Sequence, residues 1–166
     1  MNTAAPRQNM KVTVRRAQAA DVRPLLALML ELAEFEGYRE RFRVTEQDLL
    51  DRGLNEHGPA QFVALIAERE GGDIVGYAVV YEVPFTYDLR PTLVLKELYV
   101  RADLRGLSIG ESLMTAVIAH AKARGCARLK WEVLPDNDGA KRFYRRCGGT
   151  RDEQWENWIL MIADGG

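Results

Sequence analysis

Cysteine, histidine and net charge are all scarce in this chain of 166 residues. The two cysteines, Cys126 and Cys147, and the two histidines, His57 and His120, stand apart in sequence. Neither pair has metal-ligand spacing, so no metal site is expected, and two cysteines alone say little about disulfides. Cysteine is read as a small buried hydrophobe and histidine as a surface residue. The net charge of −1 gives no basic footprint for nucleic acid. The apolar runs are far too short to cross a bilayer. The opening MNTAAPRQNMK has no apolar core of the kind a secretory signal needs, and residues 1–10 read as a disordered lead. These absences predict a chain of the reducing cytoplasm that partners neither nucleic acid nor membrane.

What remains is an ordinary globular composition, 47% hydrophobic and 28% charged, and length enough for one domain burying roughly two-thirds of its unfolded surface. Residues 11–164 carry the structure. Val12 and Val14 alternate with polar neighbours as a first strand; Asp21 is a candidate N-cap for a helix with apolar spacing at Leu25, Leu28, Met29, Leu32 and Phe35, closed by Gly37. Thr45 with Asp48 opens a short second helix. Two runs rich in β-formers, Gln61 to Glu68 and Ile74 to Tyr81, flank a Gly-rich turn and predict a hairpin. A strand from Leu93 to Val100 leads into a glycine turn and a helix over Glu111 to Arg124, with Gly125 as its C-cap glycine. Strands over Ala127 to Leu134, Thr150 to Gln154 and Trp155 to Ile162, with a helix over Asn137 to Cys147, complete one α/β domain with a mixed sheet.

The stretch Leu93 to Gly110, LVLKELYVRADLRGLSIG, organises the rest. Its apolar strand is interrupted by Lys96 and Glu97. Its end, Arg105-Gly106-Leu107-Ser108-Ile109-Gly110, joins a tight turn to a helix N-terminus, where unpaired amides and the helix dipole favour phosphate. That hexamer resembles the Q/R-x-x-G-x-G/A signature of the GCN5-related N-acetyltransferase superfamily. A second signature, N-x-x-A-x-x-F-Y, is matched from Asn137 to Tyr144. Glu31 to Glu36, Thr45 to Leu49 and Pro91 to Val100 are similar to the diamine (spermidine/spermine) N-acetyltransferase branch.

The resemblance implies a GNAT fold: a mixed, mostly antiparallel sheet with helices on both faces and splayed central strands holding acetyl-CoA. It implies a homodimer, the backbone of Leu98, Tyr99 and Val100 against the pantetheine arm, and the 105–110 loop on the pyrophosphate. It also implies Asn137 as a cofactor contact, beside an equally natural N-cap role, and Tyr144 as the acid toward the CoA thiolate. The chain departs from the branch twice. Ser108 replaces the middle glycine of the loop, which is compatible if its φ is negative. Lys96 replaces the first carboxylate of the Glu-Asp pair that the branch carries near its substrate amine.

Acetyl transfer requires a neutral amine. With a pKa near 10.4 only about one amine in a few thousand is neutral at pH 7, a cost of about 4.5 kcal/mol that a base or a dry pocket must reduce. Glu97 is the candidate base, with Glu82 a weaker one and an ion pair to a helix arginine the competing structural role for Glu97. As strand neighbours, Lys96 and Glu97 are expected on opposite faces. Phe85 and Tyr87, in the loop before the strand, are candidates to line the acceptor pocket. Glu31, Glu34 and Glu36 suit a cationic acceptor or a solvated helix face. The expected function is acetyl transfer to the primary amine of a small molecule, diamine-like or amino-acid-like, with Lys96 taking a carboxylate and Glu97 the ammonium. Transfer to a protein or peptide amine, or acyl-CoA binding without catalysis, are the alternatives.

Overall fold

The computed structural model describes residues 10–55 and 57–162. Apart from Met10, the expected N-terminal lead lies outside the described residues, as do the last residues of the expected domain. The chain forms two compact units, Met1–Glu132 and Val133–Gly166.

The first unit is built on one sheet. Strands β1 (Val12–Arg16), β2 (Val63–Arg69), β3 (Ile74–Val83), β4 (Thr92–Val100) and β5 (Arg128–Lys130) stand side by side in sequence order. The first three pairings are antiparallel and β4–β5 is parallel. The run Ile74 to Val80 is buried without interruption, the pattern of a strand covered on both faces. Helix α1 (Val22–Phe35) covers one face, where Leu25, Leu28, Met29 and Leu32 share a core with Tyr77, Val79 and Tyr99. After α1 comes the one-turn helix α2 (Glu46–Leu49), and after β4 comes α3 (Ile109–Ala123). The other face belongs to α3: a Cβ added at Gly76 would meet the Leu113 side chain at 3.2 Å and the Tyr99 carbonyl at 2.9 Å.

One irregularity decides how β4 presents its side chains. Val80 pairs with Leu95, but Val79 pairs with Glu97, leaving Lys96 as an extra residue. A bulge of this kind breaks the alternation of faces. Leu93 and Leu95, with Glu82 opposite Leu93, face α3, whereas Glu97 and Tyr99, aligned with Val79 and Tyr77, face α1. The regular alternation along β4 is therefore interrupted at Lys96. The β4–β5 ladder runs only from Thr92 to Val94, ending just before the bulge, so the strand expected to reach Leu134 stops at Lys130. Bulges increase local twist, which carries the two strands apart.

The turn chemistry follows the sequence in most places. Thr45 and Asp48 form the capping box, with Asp48 N donating to Thr45 Oγ1 at 3.2 Å and Thr45 N to Asp48 Oδ2 at 2.9 Å. Gly125, past the end of α3, has φ +69°. Asp21 is different. It occupies the position before α1, yet its carboxylate makes no cap bond to the helix. It accepts instead from Arg15 Nη1 at 2.8 Å, Arg15 Nη2 at 2.9 Å and Gln18 N at 2.8 Å. Arg15 Nε also donates to Glu68 at 2.7 Å. A bidentate guanidinium offers more to a carboxylate that is only 7% exposed than helix amides do.

In the second unit, α4 (Asp138–Arg146) is capped by Asn137, whose Oδ1 accepts from Ala140 N at 3.0 Å. Gly148, at φ +89°, closes it. The two expected terminal strands do not form. Thr150 to Ile162 makes no ladder, and Trp158 and Ile159 are 90% and 86% exposed. Residues with β propensity become a strand only against a partner edge.

Arg15 holds the Asp21 carboxyl below its usual range, so the pair supports the fold at neutral pH and that support is lost as pH falls through the lowered value. Asp21→Asn is expected to cost about 2 kcal/mol at pH 7, less than a fully buried pair because Arg15 is partly exposed. Urea melts at pH 7 and pH 3 check this: the gap between wild type and variant should narrow in acid.

Candidate functional site

On the α1 face, the first unit contains an open cavity of about 390 Å³. Met29 of α1, Val79 of β3 and Phe62 form apolar wall, and Phe42, Val44 and Leu49 close the side where the chain returns from α1. Glu97 reaches it because the bulge turned that residue to this face. Arg43, Asp48 and Arg52 bring charge to the same wall. Gly53 fits the wall together: a Cβ there would fall 2.2 Å from the Phe62 ring.

Glu97 is half-buried, and Tyr77 Oη donates to its Oε2 at 2.8 Å. Burial pushes its pKa up, against the opposing pull of the Tyr77 hydrogen bond and the Lys96 charge. Glu36 is raised by burial and lowered by Lys96, and Tyr38 is pushed up to about 12 by burial and by the charges of Glu97 and Glu36. A carboxylate with a raised pKa in an apolar cavity is equipped to take a proton from a bound ammonium. The other candidate base, Glu82, is corrected to a structural role. It is paired with Arg124, the residue that follows α3, at 2.5 and 3.2 Å, and its pKa is lowered by that contact.

The remaining substrate candidates fall elsewhere. Phe85 and Tyr87 are 84% and 88% exposed in the β3–β4 connection and do not line this cavity; Tyr87 lies beside Arg128. Lys96 is exposed and also outside the lining, acting on Glu36 and Glu97 through its charge. The aromatic lining comes from Phe42 and Phe62, which the sequence presents as ordinary apolar positions. No sequence signal marks Arg43 or Arg52.

The 105–110 loop and the open edge of β4 make a second feature of the same unit. Gly106 has φ +79° and open space where a side chain would stand. Ser108 has φ +64°, so the condition under which serine was expected to fit does not hold. It occupies the left-handed region at a cost of about 1 kcal/mol. Its carbonyl accepts the first bond of α3, from Ser112 N at 3.1 Å. The amides of Ile109 and Gly110 precede that bond and lie at the positive end of a helix of 15 residues. Ile109 is buried and anchors the loop, and Leu107 is partly exposed. Arg105 begins the loop but sends its guanidinium back over Phe35, 4.6 Å from the ring centroid, with Nε donating to Val100 O at 3.2 Å. Beside the loop, Leu98, Tyr99 and Val100 pair with β3 on one side and lie beyond the β5 ladder on the other. An open strand edge can bond an amide-bearing arm, and the loop and helix end can bond phosphate.

The profile of the acetyltransferase (GNAT) family matches residues 25–149. The chain belongs to this family. As a GNAT protein it is an N-acetyltransferase, and the relatives agree. A bovine (Bos taurus) thialysine N-epsilon-acetyltransferase is 29% identical over 93% of both chains. A human spermidine/spermine N(1)-acetyltransferase-like protein is 30% identical over 89% of this chain and 22% of its own length. Among solved structures, an aminoglycoside acetyltransferase from an uncultured soil metagenomic sample, in complex with sisomicin, superposes with a TM-score of 0.77. It is 20% identical, covering 92% of this chain and 97% of its own, a likeness of fold. The mixed sheet with helices on both faces is thus the GNAT architecture. The second GNAT signature lies in the second unit, with Asn137 as the cap of α4 and Tyr144 in edge contact with Phe143, ring centroids 5.1 Å apart. Among the described residues there is no cluster of His, Cys, Asp and Glu suited to a metal, and no helix long and apolar enough to cross a membrane.

Because the Glu97 carboxyl is raised in the fold, it favours folding below its unfolded pKa, and that contribution is lost as pH rises through the folded value. Its charge therefore weakens the protein at neutral pH. Glu97→Gln, which keeps an acceptor for Tyr77, is expected to raise the melting temperature at pH 7. Calorimetry across pH checks this, with the gain shrinking as pH is lowered through the carboxyl range.

Proposed function

We propose that this N-acetyltransferase carries the acetyl group of acetyl-CoA to the primary amine of a small, amino-acid-like acceptor bound in the Glu97 cavity. The observation that carries the reading is a raised carboxylate and two arginines on the wall of one cavity. Such a wall suits a molecule with an ammonium at one end and a carboxylate at the other. The bovine and mouse relatives, named for the ε-nitrogen of thialysine, support an acceptor of that kind.

Arg43 is the assigned partner for the carboxylate. Its Nη1 bonds two neutral groups, the carbonyls of Glu40 at 2.6 Å and Phe42 at 3.0 Å, whereas Arg52 stands 3.9 Å from Asp48. The role first expected of Lys96 passes to Arg43, since Lys96 lies outside the lining. Glu97 accepts the proton of the acceptor's ammonium and leaves the nitrogen lone pair free. The open β4 edge at Leu98 to Val100 and the loop from Arg105 to Gly110 fit the pantetheine arm and the pyrophosphate, through strand amides and through the helix end respectively. When bound, acetyl-CoA supplies an activated thioester carbonyl. By its match to the second signature, Tyr144 holds at its hydroxyl the proton given to the departing sulfur, and Asn137 shapes the start of α4. The family match runs through the boundary between the two units, which supports a single functional domain over 11–164. A homodimer, supported by the resemblance to the diamine branch, and a cytoplasmic setting complete the reading.

A thiol-release screen tests the acceptor. Diamino acids should be turned over with higher kcat/KM than spermidine, and Arg43→Ala should raise KM for a diamino acid about ten-fold while a simple alkyl amine is little affected. Preference for spermidine, unchanged by Arg43→Ala, would remove the amino-acid reading.

Tyr144→Phe should lower the single-turnover rate on the order of ten- to a hundred-fold with acetyl-CoA affinity nearly unchanged, as for a group used only in the transition state. Rapid-quench measurement decides, because slow product release masks a loss in kcat.

A further inference from the structure

Tyr77 is the one residue of the Ile74–Val80 run with a polar side chain, and it is fully buried, 0% exposed. Packing alone does not call for its hydroxyl, since phenylalanine has nearly the same shape. A phenol buried on both sides must find an acceptor or lose its hydrogen bond to water. Here the acceptor is Glu97 Oε2, at 2.8 Å. Register makes the contact possible. Tyr77 stands opposite Tyr99 and Val79 opposite Glu97, so the ring lies diagonally across the ladder from the carboxylate, within reach of a long side chain. Without the extra residue at Lys96, Glu97 would occupy a different place in the ladder.

We propose that Tyr77 is a positioning residue for Glu97: it fixes one carboxylate oxygen and keeps the group ionised and aimed into the acceptor cavity. The proposal rests on the cavity reading given above. Tyr77 keeps its own proton throughout, because burial and the neighbouring carboxylate raise its pKa well above the ordinary phenol value. The proton that moves is the ammonium's, passing from the acceptor nitrogen to Glu97. Lys96 at the bulge, and Glu36 and Tyr38 after α1, interact with Glu97, while Arg43, Asp48 and Arg52 share its cavity wall. Lys96 favours the ionised carboxylate; Glu36 and burial oppose it. Tyr77 adds a neutral donor at contact distance, whose effect salt does not screen.

The test is Tyr77→Phe, read in two ways: the pH profile of kcat/KM, and the Glu97 carboxyl titration followed by carbon NMR in the protein without substrates. Loss of the donor should move both the acid limb and the NMR midpoint to higher pH by about one unit. Below the limb, kcat/KM should fall about ten-fold. A ring-fluorinated tyrosine at position 77, which keeps the shape and donates more strongly, should move both downward; it carries the test if Tyr77→Phe does not fold. In a Glu97→Gln background, Tyr77→Phe should have no further effect on the profile. An unmoved titration midpoint and acid limb in the folded variants overturn the proposal. If instead Glu97→Gln retains the wild-type rate and limb, the cavity reading fails, while the NMR titration still decides whether Tyr77 holds the carboxylate.

Discussion

The site depends on a single extra residue in a strand. Side chains on a regular strand alternate, so Leu93, Leu95, Glu97 and Tyr99 would share one face. The bulge at Lys96 divides them. The leucines stay with α3, in the apolar layer between helix and sheet, and Glu97 and Tyr99 turn toward α1. Putting a carboxylate into the α3 layer, where Leu93 and Leu113 are 0% exposed, would carry a large desolvation cost. On the α1 face the same carboxylate meets Tyr77 and an open cavity. The end of the β5 ladder at Val94 belongs to the same event, because a strand that bends and twists cannot keep pace with a straight parallel neighbour.

The charged groups around the sheet divide by what they have to do. Arg15 with Asp21 and Glu68, and Arg124 with Glu82, are contacts between oppositely charged partners that hold elements together. Among the described residues, Glu97 has no such arginine. A neutral phenol satisfies one oxygen and leaves the group partly uncompensated, a state that weakens the fold and suits a base. The difference between Glu82 and Glu97, two carboxylates on neighbouring strands, is therefore one of partner: a guanidinium lowers the first, and burial raises the second.

Much of this was legible in the sequence, and the failures have physical causes. Hydrophobic periodicity and caps located the first four strands and helices α1 to α4 because those signals are local. The glycine turn before α3 and the charge inside β4 were legible because both stand out locally against an apolar strand. The bulge was not, since an extra residue is defined only by the register of its partner, and nothing in LVLKELYV marks Lys96 as the one left over. Phe85 and Tyr87, expected near the acceptor because they precede the strand, stand exposed and outside the lining of the Glu97 cavity. That cavity is lined by Phe42, Arg43 and Arg52 among others, brought there by the path of the chain after α1. The terminal strands failed for a similar reason: Trp155 to Ile162 has the composition of a strand and, among the described residues, no ladder partner.

Serine at position 108 changes the thermodynamics of the loop it sits in. A glycine there would reach φ +64° freely, but it would also wander through every other region while unfolded or loosened. Ser108 starts from a narrower set of conformations and is held in an unfavourable one by neighbours that cannot easily let go: Ile109 buried behind it, and Ser112 bonding its carbonyl through both the backbone amide and the hydroxyl, at 3.1 and 3.0 Å. Local strain is exchanged for lower conformational entropy. The amides at the start of α3 are consequently held in one alignment by the loop itself, so that under the proposed phosphate role less ordering would remain to be done on binding.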